Sequence, residues 1–313
     1  MDALVQRSIK LVEDKKRSSI SWKLDEPWHQ PYYLHDGDRW TAREPKASNP
    51  SNASISKLAL YSWNIDFMLP FPESRMKAAL KYLEERLAQS NDTAVAIYLQ
   101  ECVDSLFRVH YSATKMERDV LISDIPLPSP SQALTSLTIR LCNSHLESLA
   151  LIPALRPPQM SLIASYMHQS PEISAAIAAG DFNAIQPFDR TLHLDNNLLD
   201  AYLECGGKED DPDGHTWGQQ ASTVLRERFG TSRMDKVYYT PPSPTDKAYL
   251  KLAKFAYFGR DVVVEDVKKA EEIKALGFEK AWVTDHLGVE AVFDIVGGSQ
   301  QESGEKEQGQ ASL

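Results

Sequence analysis

The spacing of apolar and polar residues along the chain predicts a mixture of strands and helices. Apolar runs that end in polar residues predict strands at 57–67, 93–101, 119–125, 134–147, 174–180, 233–240, 249–259 and 288–296. Apolar residues at intervals of three and four predict amphipathic helices at 73–89, 157–169 and 264–277. Because strands and helices are interspersed over one continuous stretch, the pattern predicts a single α/β domain at 57–296.

The residues on either side of this domain lack a sustained period. We expect residues 1–56 to form an N-terminal arm or linker with a short helix at 1–17, packed on the domain through Trp28, Tyr32, Tyr33 and Trp40. Residues 297–313 contain no large aliphatic residue before the last position. Such a segment cannot bury enough apolar surface to fold, so we expect a disordered tail.

Composition limits the class of protein. The chain has 313 residues, of which 42% are hydrophobic, and can therefore bury a sizeable core. No apolar run approaches the roughly 18 residues that cross a bilayer, and the charged N-terminus is unlike a signal peptide. We therefore expect an intracellular protein, in the nucleus or the cytoplasm, without a membrane partner. Three widely separated cysteines indicate neither disulfides nor a zinc site. The net charge of −10 argues against broad non-specific binding of nucleic acid but leaves room for a local basic groove.

Polar residues follow several predicted strands at the point where each strand ends. They occur in the motifs "SWNID" (62–66), "LQE" (99–101), "NSHLES" (143–148), "GDFN" (180–183) and "TDHLG" (284–288). Each motif alone is typical of a turn, because Asp, Asn and Gly are common turn residues. Together they predict a functional site, since rigid scaffolds place their chemistry in loops at strand ends.

The residue types in these motifs restrict the chemistry. Carboxylate and amide oxygens without thiolates suit a hard cation such as Mg²⁺ or Mn²⁺, and Mg²⁺ binds one or two carboxylates together with substrate phosphate. His145 and His286, each near an acid, supply donors for developing negative charge and a partner for proton transfer. This set of residues favours metal-assisted hydrolysis of a phosphodiester.

Seven short motifs follow one another in the order "WNID", "LQE", "SHLES", "GDFN", "TWG", "RMDKVYY" and "TDHLG". The series resembles the endonuclease/exonuclease/phosphatase superfamily and, within it, the tyrosyl-DNA phosphodiesterase branch, over about 58–296. The resemblance implies a four-layer α/β sandwich, in which two β-sheets pack face to face with helices outside. It also implies a DNA-repair reaction on DNA 5′ ends that carry a tyrosyl adduct left by a trapped topoisomerase. We expect the protein to act as a monomer.

The resemblance implies a role for each residue near the metal and the attacking water. Glu101 is expected to be the principal ligand of Mg²⁺, or of Mn²⁺, with Asn64 close to the metal and the phosphate. Asp285 is expected to complete the metal shell or to fix the ring of His286. Asp181 is expected to orient or deprotonate the attacking water.

The same resemblance implies contacts with the phosphate. His286 is expected to donate to the pentacovalent phosphorus centre, and Asn183 to donate to the phosphate or near the nucleophile. His145 and Ser148 match positions that contact phosphate, and Asp235 matches the position of an orienting acid.

Three further residues are candidates for binding DNA. Trp217 either lines the DNA-binding face or is a packing anchor. Arg226 and Arg233 belong to the densest basic stretch of the chain and either contact backbone phosphates or are solvated surface residues.

The segment between Glu101 and His145 departs from the family, which usually has a longer segment with two further strands at this place. The chain is predicted to pass from a helix after "LQE" almost directly into the strand before "SHLES". The loss of paired strands would expose ladder edges unless neighbouring segments pair with them.

Three hypotheses remain open at this point. The first is a Mg²⁺-dependent phosphodiesterase that acts on 5′-tyrosyl DNA ends. The second keeps the fold and the metal but acts on another phosphoester, such as abasic DNA, RNA, an inositol phosphate or a phospholipid head group. The third is an inactive binding homologue in which the shortened segment has abolished catalysis. The "SHLES" and "TWG" motifs favour the first.

Overall fold

The computed structural model describes residues 22–29, 32–35, 39–43, 56–66, 69–88, 93–100, 107–127, 137–169, 173–242 and 248–297. The strands, in chain order, are β1 (Pro27–His29), β2 (Tyr32–His35), β3 (Trp40–Arg43), β4 (Lys57–Asn64), β5 (Ala94–Gln100), β6 (Phe107–His110), β7 (Asp119–Leu127), β8 (Leu137–Ser144), β9 (Ala175–Asp181), β10 (Leu199–Asp200), β11 (Asp235–Tyr239), β12 (Ala248–Phe258) and β13 (Gly288–Gly297). The α-helices are α1 (Pro72–Leu87), α2 (Arg156–Met167), α3 (Leu192–Asp195), α4 (Ala201–Glu204), α5 (Thr223–Phe229) and α6 (Val267–Ala275). Short 3₁₀ turns occupy Pro187–Arg190 and Pro212–Gly214.

The larger strands form two mixed sheets. The seven-stranded sheet has the order β1-β6-β7-β8-β9-β11-β10, and the four-stranded sheet has the order β12-β13-β4-β5. Neighbouring strands are antiparallel except for the pairs β8/β9 and β4/β5, which are parallel. Strands β2 and β3 form a separate antiparallel hairpin. The carboxyl ends of β4 and β5 therefore lie side by side, as do those of β8 and β9.

Alternation along each strand divides the apolar residues among three cores. In β4, Leu58 and Leu60 pack against the other sheet, whereas Tyr61 and Trp63 belong to the core formed with α1 and α6. The seven-stranded sheet has a corresponding outer core with α2, which contributes Met160, Ile163, Ala164 and Met167. The order helix, sheet, sheet, helix follows, and it confirms the predicted α/β sandwich.

The predicted strands and helices within 57–296 are present, with ends that differ by a few residues. None of the helices in the described part of the chain combines the length and the apolar character needed to cross a membrane. Residues 1–21 and 298–313 lie outside the described residues, so the helix at 1–17 and the disordered tail stay predictions. Trp28 lies in β1, and its ring centroid lies 6.2 Å from that of His110.

The short segment that precedes "SHLES" contains a strand that pairs with a neighbour on each side. Phe107–His110 forms strand β6, which the sequence pattern did not predict, and β6 pairs with β7. On its other side β6 pairs with β1, so that Pro27 faces Val109 and His29 faces Phe107. A strand from the N-terminal arm thus covers the edge that the shortened segment would leave open.

Candidate active site

A buried carboxylate, Asp181, lies at the centre of the polar residues that the sequence singled out. Its Oδ2 atom is 3.0 Å from Nδ2 of Asn64, 3.2 Å from Nε2 of His145 and 3.7 Å from Nε2 of His286. These residues come from different elements: Asp181 ends β9, Asn64 ends β4, and the two histidines lie just after β8 and just before β13. The motifs "WNID", "SHLES", "GDFN" and "TDHLG" therefore meet at one place.

Backbone geometry directs Asp181 into this cluster. Gly180 has a φ of 148°, and a Cβ atom at this position would lie 1.9 Å from the carbonyl oxygen of Ser144. The close approach of β9 to β8 therefore requires glycine here. Immediately after the strand, the amide of Asn183 donates to Oδ1 of Asp181 at 2.8 Å, and Nδ2 of Asn183 donates to the carbonyl oxygen of Leu146 at 3.0 Å. Asn183 thus joins the "GDFN" and "SHLES" loops.

His286 lies between two buried carboxylates. Its Nδ1 is 2.8 Å from Oδ2 of Asp235, while Nε2 faces Asp181. Burial lowers the pKa of His286, but Asp235 and then Asp181 outweigh that effect and hold the pKa well above its usual value. Burial raises the pKa of Asp181, but His145 and then His286 outweigh that effect and lower it. The ring is therefore protonated at neutral pH, with one N–H fixed by Asp235 and the other directed toward Asp181.

This arrangement corrects one predicted role and supports another. Asp285 does not fix the ring of His286, because its Oδ1 atom is 3.8 Å from Nε2, whereas Asp235 is hydrogen-bonded to Nδ1. Asp235 has the position expected of an orienting acid from "RMDKV", because its Oδ2 lies 2.8 Å from Nδ1 of His286. Thr216 holds the start of β11, since its hydroxyl oxygen accepts from the amide of Asp235 at 3.0 Å.

His145 has the opposite protonation state. Burial lowers its pKa to about 4, Asp181 opposes that shift, and the positive charge of Arg118 adds to it. A neutral imidazole whose Nε2 carries the proton can donate to Oδ2 of Asp181 at the observed 3.2 Å. The site therefore contains one charged and one neutral histidine on the same carboxylate oxygen.

Trp217 is joined to the site through Asp285. The indole Nε1 donates to Oδ2 of Asp285 at 2.7 Å, and the backbone of Trp217 forms isolated bridges with Ser232 and His286. Trp217 is half-buried. Its role in binding substrate stays a prediction.

Arg118 is a site residue that the sequence reasoning missed. Its Nη2 donates to Oγ of Ser148 at 3.2 Å, and Nε is buried without a hydrogen-bond partner. Among the described residues, no carboxylate forms an ion pair with Arg118. A guanidinium that lies beside the predicted phosphate-contacting Ser148 and is not neutralised by an acid can receive an anionic ligand. In the sequence, Arg118 is visible only as a basic residue just before the strand predicted at 119–125. The position of its side chain depends on the preceding loop, whose path could not be predicted from the sequence.

Arg233 is buried, which corrects the prediction that it contacts backbone phosphates or is a solvated surface residue. The guanidinium is buried and forms ion pairs with Asp200, at 2.9 Å, and with Glu209. It also lies over the ring of Tyr202 at 5.1 Å. Because Asp200 and Glu209 neutralise the guanidinium inside the protein, Arg233 stabilises the fold. Arg226 lies on α5 and is half-buried, and its contact with DNA stays a prediction.

Two buried oxygen atoms of the site are of the kind that binds a hard divalent cation. In the described part of the chain, Oδ1 of Asp285 and Oε1 of Gln100 are buried without a hydrogen-bond partner. Oxygen ligands of this kind suit Mg²⁺ or Mn²⁺. Gln100 pairs with Asn64 across β5 and β4, and the predicted ligand Glu101 follows it directly. Glu101 itself lies outside the described residues.

A second group of possible ligands overlaps the histidine and its two acids. Ligand atoms of Asp181, Asp235 and His286 all lie within 4.8 Å of one another, and these three described residues could hold a metal ion. A metal on His286, however, would have to displace the proton that the two carboxylates stabilise. These three residues are therefore better suited to hold a proton than a metal ion, and Oδ1 of Asp285 and Oε1 of Gln100 remain oxygen atoms that could receive a cation.

Comparisons with known proteins agree with this geometry. The sequence matches the model described as Endonuclease/Exonuclease/phosphatase family over residues 61–286. No curated protein matches the chain.

Several solved structures of tyrosyl-DNA phosphodiesterase 2 (TDP2) have a similar fold. TDP2 of Danio rerio, humanized by 14 mutations, has a TM-score of 0.55 and 18% identity over 76% of this chain and 99% of that chain. D. rerio TDP2 complexed with single-strand DNA product has a TM-score of 0.53 and 18% identity, over 76% and 99% of the two chains. Truncated TDP2 of Caenorhabditis elegans has a TM-score of 0.53 and 19% identity, over 77% and 99%. At these identities the likeness concerns the fold.

Proposed function

The chain belongs to the Endonuclease/Exonuclease/phosphatase family, whose members hydrolyse phosphoester bonds, and we propose that it is a Mg²⁺-dependent phosphodiesterase acting on 5′-phosphotyrosyl DNA ends. The observation that carries the proposal is the convergence of Asn64, His145 and His286 on Oδ2 of Asp181. This geometry provides a carboxylate for the attacking water, and it places one protonated histidine, His286, and one neutral histidine, His145, within the same buried cluster.

Asp181 is suited to orient the attacking water. Its carboxylate stays ionised at neutral pH because nearby His145 and His286 lower its pKa against the effect of burial. Such a carboxylate is a weak base, so it holds the water by accepting a hydrogen bond and removes the proton as the P–O bond forms. Asn64, which donates to the same oxygen at 3.0 Å, fixes the direction of that carboxylate.

His286 is suited to stabilise the charge that develops on the phosphoryl oxygens. The protonated ring is held from behind by Asp235 at 2.8 Å, so its second N–H is oriented without reorganisation. Arg118 and Ser148 provide further donors on the "SHLES" side of the site. The two sets of donors supply the fixed positive field that a phosphoryl transition state requires.

Glu101, Asn64 and Asp285 are the residues that would hold the divalent cation. Bound there, Mg²⁺ would neutralise phosphate charge and polarise a phosphoryl oxygen. Asp285 would remain anchored through Trp217, whose indole holds the other carboxylate oxygen at 2.7 Å. This anchor keeps one oxygen of Asp285 directed away from the indole.

The tyrosyl substrate is supported by the motifs and by the leaving group. "SHLES" and "TWG" are the motifs that distinguish the tyrosyl-DNA branch, and the structures of similar fold include TDP2 with a single-strand DNA product. A tyrosine phenol has a pKa of about 10, so its oxygen leaves without a strong general acid.

The test compares substrates on the same protein. Hydrolysis of a 5′-phosphotyrosyl oligonucleotide with Mg²⁺ is measured beside an abasic-site duplex and bis-p-nitrophenyl phosphate. Asp181→Asn, which keeps the shape and removes the charge, is the matched control for contaminating nucleases. Faster turnover of the abasic duplex would replace the proposed substrate, and equal activity of the Asp181→Asn protein would overturn the proposed site.

A further inference from the structure

The N-terminal segment (residues 22–29) contacts the loop that carries Arg118. Its strand β1 pairs with β6, and the amide of Asp25 donates to the carbonyl oxygen of His110 at 2.7 Å. Trp22 stacks on the ring of His110 with centroids 3.7 Å apart and planes inclined by 19°. The segment thus lies against the last residues of β6, directly before the loop formed by residues 111–118 (the 111–118 loop).

Asp25 is the residue of this segment that contacts the loop. Its Oδ1 atom accepts from the amide of Ser112 at 2.8 Å, and its carbonyl oxygen accepts from the hydroxyl of Tyr166 on α2 at 3.3 Å. The backbone of Asp25 has a φ of 59°, a conformation that Asp and Asn adopt more readily than other residues with a side chain. Asp25 is therefore held through its backbone by Tyr166, and its side chain fixes the start of the loop through the amide of Ser112.

Glu147 holds the same loop from the opposite side. Its two carboxylate oxygens accept from Oγ1 of Thr114 at 2.7 Å and from the amide of Lys115 at 2.9 Å. The hydroxyl of Thr114 in turn accepts from the amide of Arg118 at 3.0 Å. Glu147 belongs to "SHLES". The 111–118 loop is therefore hydrogen-bonded to the active-site motif through Glu147 and to the N-terminal segment through Asp25, and Arg118 is its last residue.

From these contacts we propose that Asp25 is a positioning residue for the phosphodiesterase reaction. It fixes the start of the 111–118 loop, and this holds Arg118 beside Ser148 and His145, ready for the substrate phosphate. The strand that covers the sheet edge therefore also shapes the active site. This inference rests on the proposed function for its kinetic consequence, but the effect on the loop is independent of it.

The experiment compares three single variants in the full chain. Asp25→Ala removes the acceptor, Asp25→Asn keeps an oxygen at the same place, and Glu26→Ala removes an acid that pairs only with the exposed Lys23 among the described residues. We expect Asp25→Ala to speed hydrogen exchange of the loop amides about tenfold and to lower kcat/KM for bis-p-nitrophenyl phosphate by a factor on the order of ten. Asp25→Asn and Glu26→Ala should stay within about twofold of the wild type.

A double variant separates positioning from general destabilisation. If Asp25 acts through Arg118, then Asp25→Ala should have no further effect on kcat/KM in an Arg118→Ala protein. Additive losses, or unchanged loop exchange in Asp25→Ala, would overturn the inference. If the wild type hydrolyses no diester, the proposed function fails instead. The positioning role of Asp25 is then tested by hydrogen exchange of the loop amides and by the affinity for inorganic phosphate. Equal phosphate affinity in the wild type and in Asp25→Ala would contradict that role.

Discussion

Nδ1 of His286 lies 2.8 Å from Oδ2 of Asp235, although the two residues lie next to strands of different sheets. Asp235 begins β11 of the seven-stranded sheet, and His286 precedes β13 of the four-stranded sheet. The hydrogen bond therefore crosses the interface between the sheets at the edge where the polar motifs meet. Packing of the two sheets and the protonation of the site are coupled through this contact.

The role of His286 can be tested by its pH dependence. A donor that must be protonated loses its function as the pH rises through its raised pKa, so the rate should fall at high pH. Asp235→Asn removes the acid that contributes most to raising that pKa, and the fall should then begin at lower pH. His286→Gln should lower turnover by about 10²–10³ and abolish the high-pH fall. The measurements are pH–rate profiles and thermal melts of the three proteins.

A structural role for His286 would give a different result. His286→Gln would then melt many degrees lower and keep its turnover per folded molecule. In that case the assignment of "TDHLG" to catalysis would be withdrawn.

Glu101→Gln should weaken the metal site while it preserves the shape of the side chain. We expect a loss of about 10²–10⁴ in rate, because the charge that binds Mg²⁺ is removed. Higher Mg²⁺ should restore part of the rate. Initial rates over a Mg²⁺ titration provide the measurement, with Glu265→Gln as a control for an acid on the surface, where it pairs with Lys81. Unchanged activity at low Mg²⁺ would refute the assignment.

Arg118→Ala should weaken the interaction with the phosphate. A hydrogen bond to a charged group contributes about 1.5–3 kcal/mol, so kcat/KM should fall by roughly 10- to 100-fold. Arg190→Ala is the matched control, since Arg190 is exposed and pairs with Asp210 at the surface. Steady-state kinetics on a small diester and on the oligonucleotide should show the loss with both substrates. An equal loss in both variants would point to net charge rather than to a contact.

Gly180→Ala should destabilise the domain. The new methyl group would meet the carbonyl oxygen of Ser144, a backbone atom that cannot move without separating β8 from β9. We expect a cost of at least about 2 kcal/mol in the free energy of unfolding, measured by urea denaturation. Gly206→Ala serves as the comparison, because Gly206 has a positive φ of 88° but no atom within 4 Å of the new methyl group. Equal costs would mean that strain at positive φ, and not the close approach, accounts for the effect.

Local pattern was sufficient to predict most of the fold. The alternation in β4 places Leu58 and Leu60 on one face and Tyr61 and Trp63 on the other, and this period is visible in the sequence. The same holds for the amphipathic helix α1. Strand β6 escaped prediction because its four residues are too few to show a period.

The site was predicted less completely because its contacts connect distant parts of the chain. The polar ends of β4 and β9 identified Asn64 and Asp181 as candidates, and the structure brings them to 3.0 Å. The partner of His286 could not be deduced, since both Asp285 and Asp235 were acids at plausible places and only the register of the strands separates them. Arg233 was predicted either to contact backbone phosphates or to be a solvated surface residue, because the sequence shows its charge but not its burial with Asp200.

Strand β1 also has a consequence for the order of folding during synthesis. It leaves the ribosome before β6, its partner, and the rest of the sheet follows later still. The N-terminal segment therefore remains unpaired until the ribosome has synthesised the middle of the chain, which contains β6. We expect it to dock late, on a sheet that is already assembled, so that the last step in closing the edge also completes the environment of the 111–118 loop.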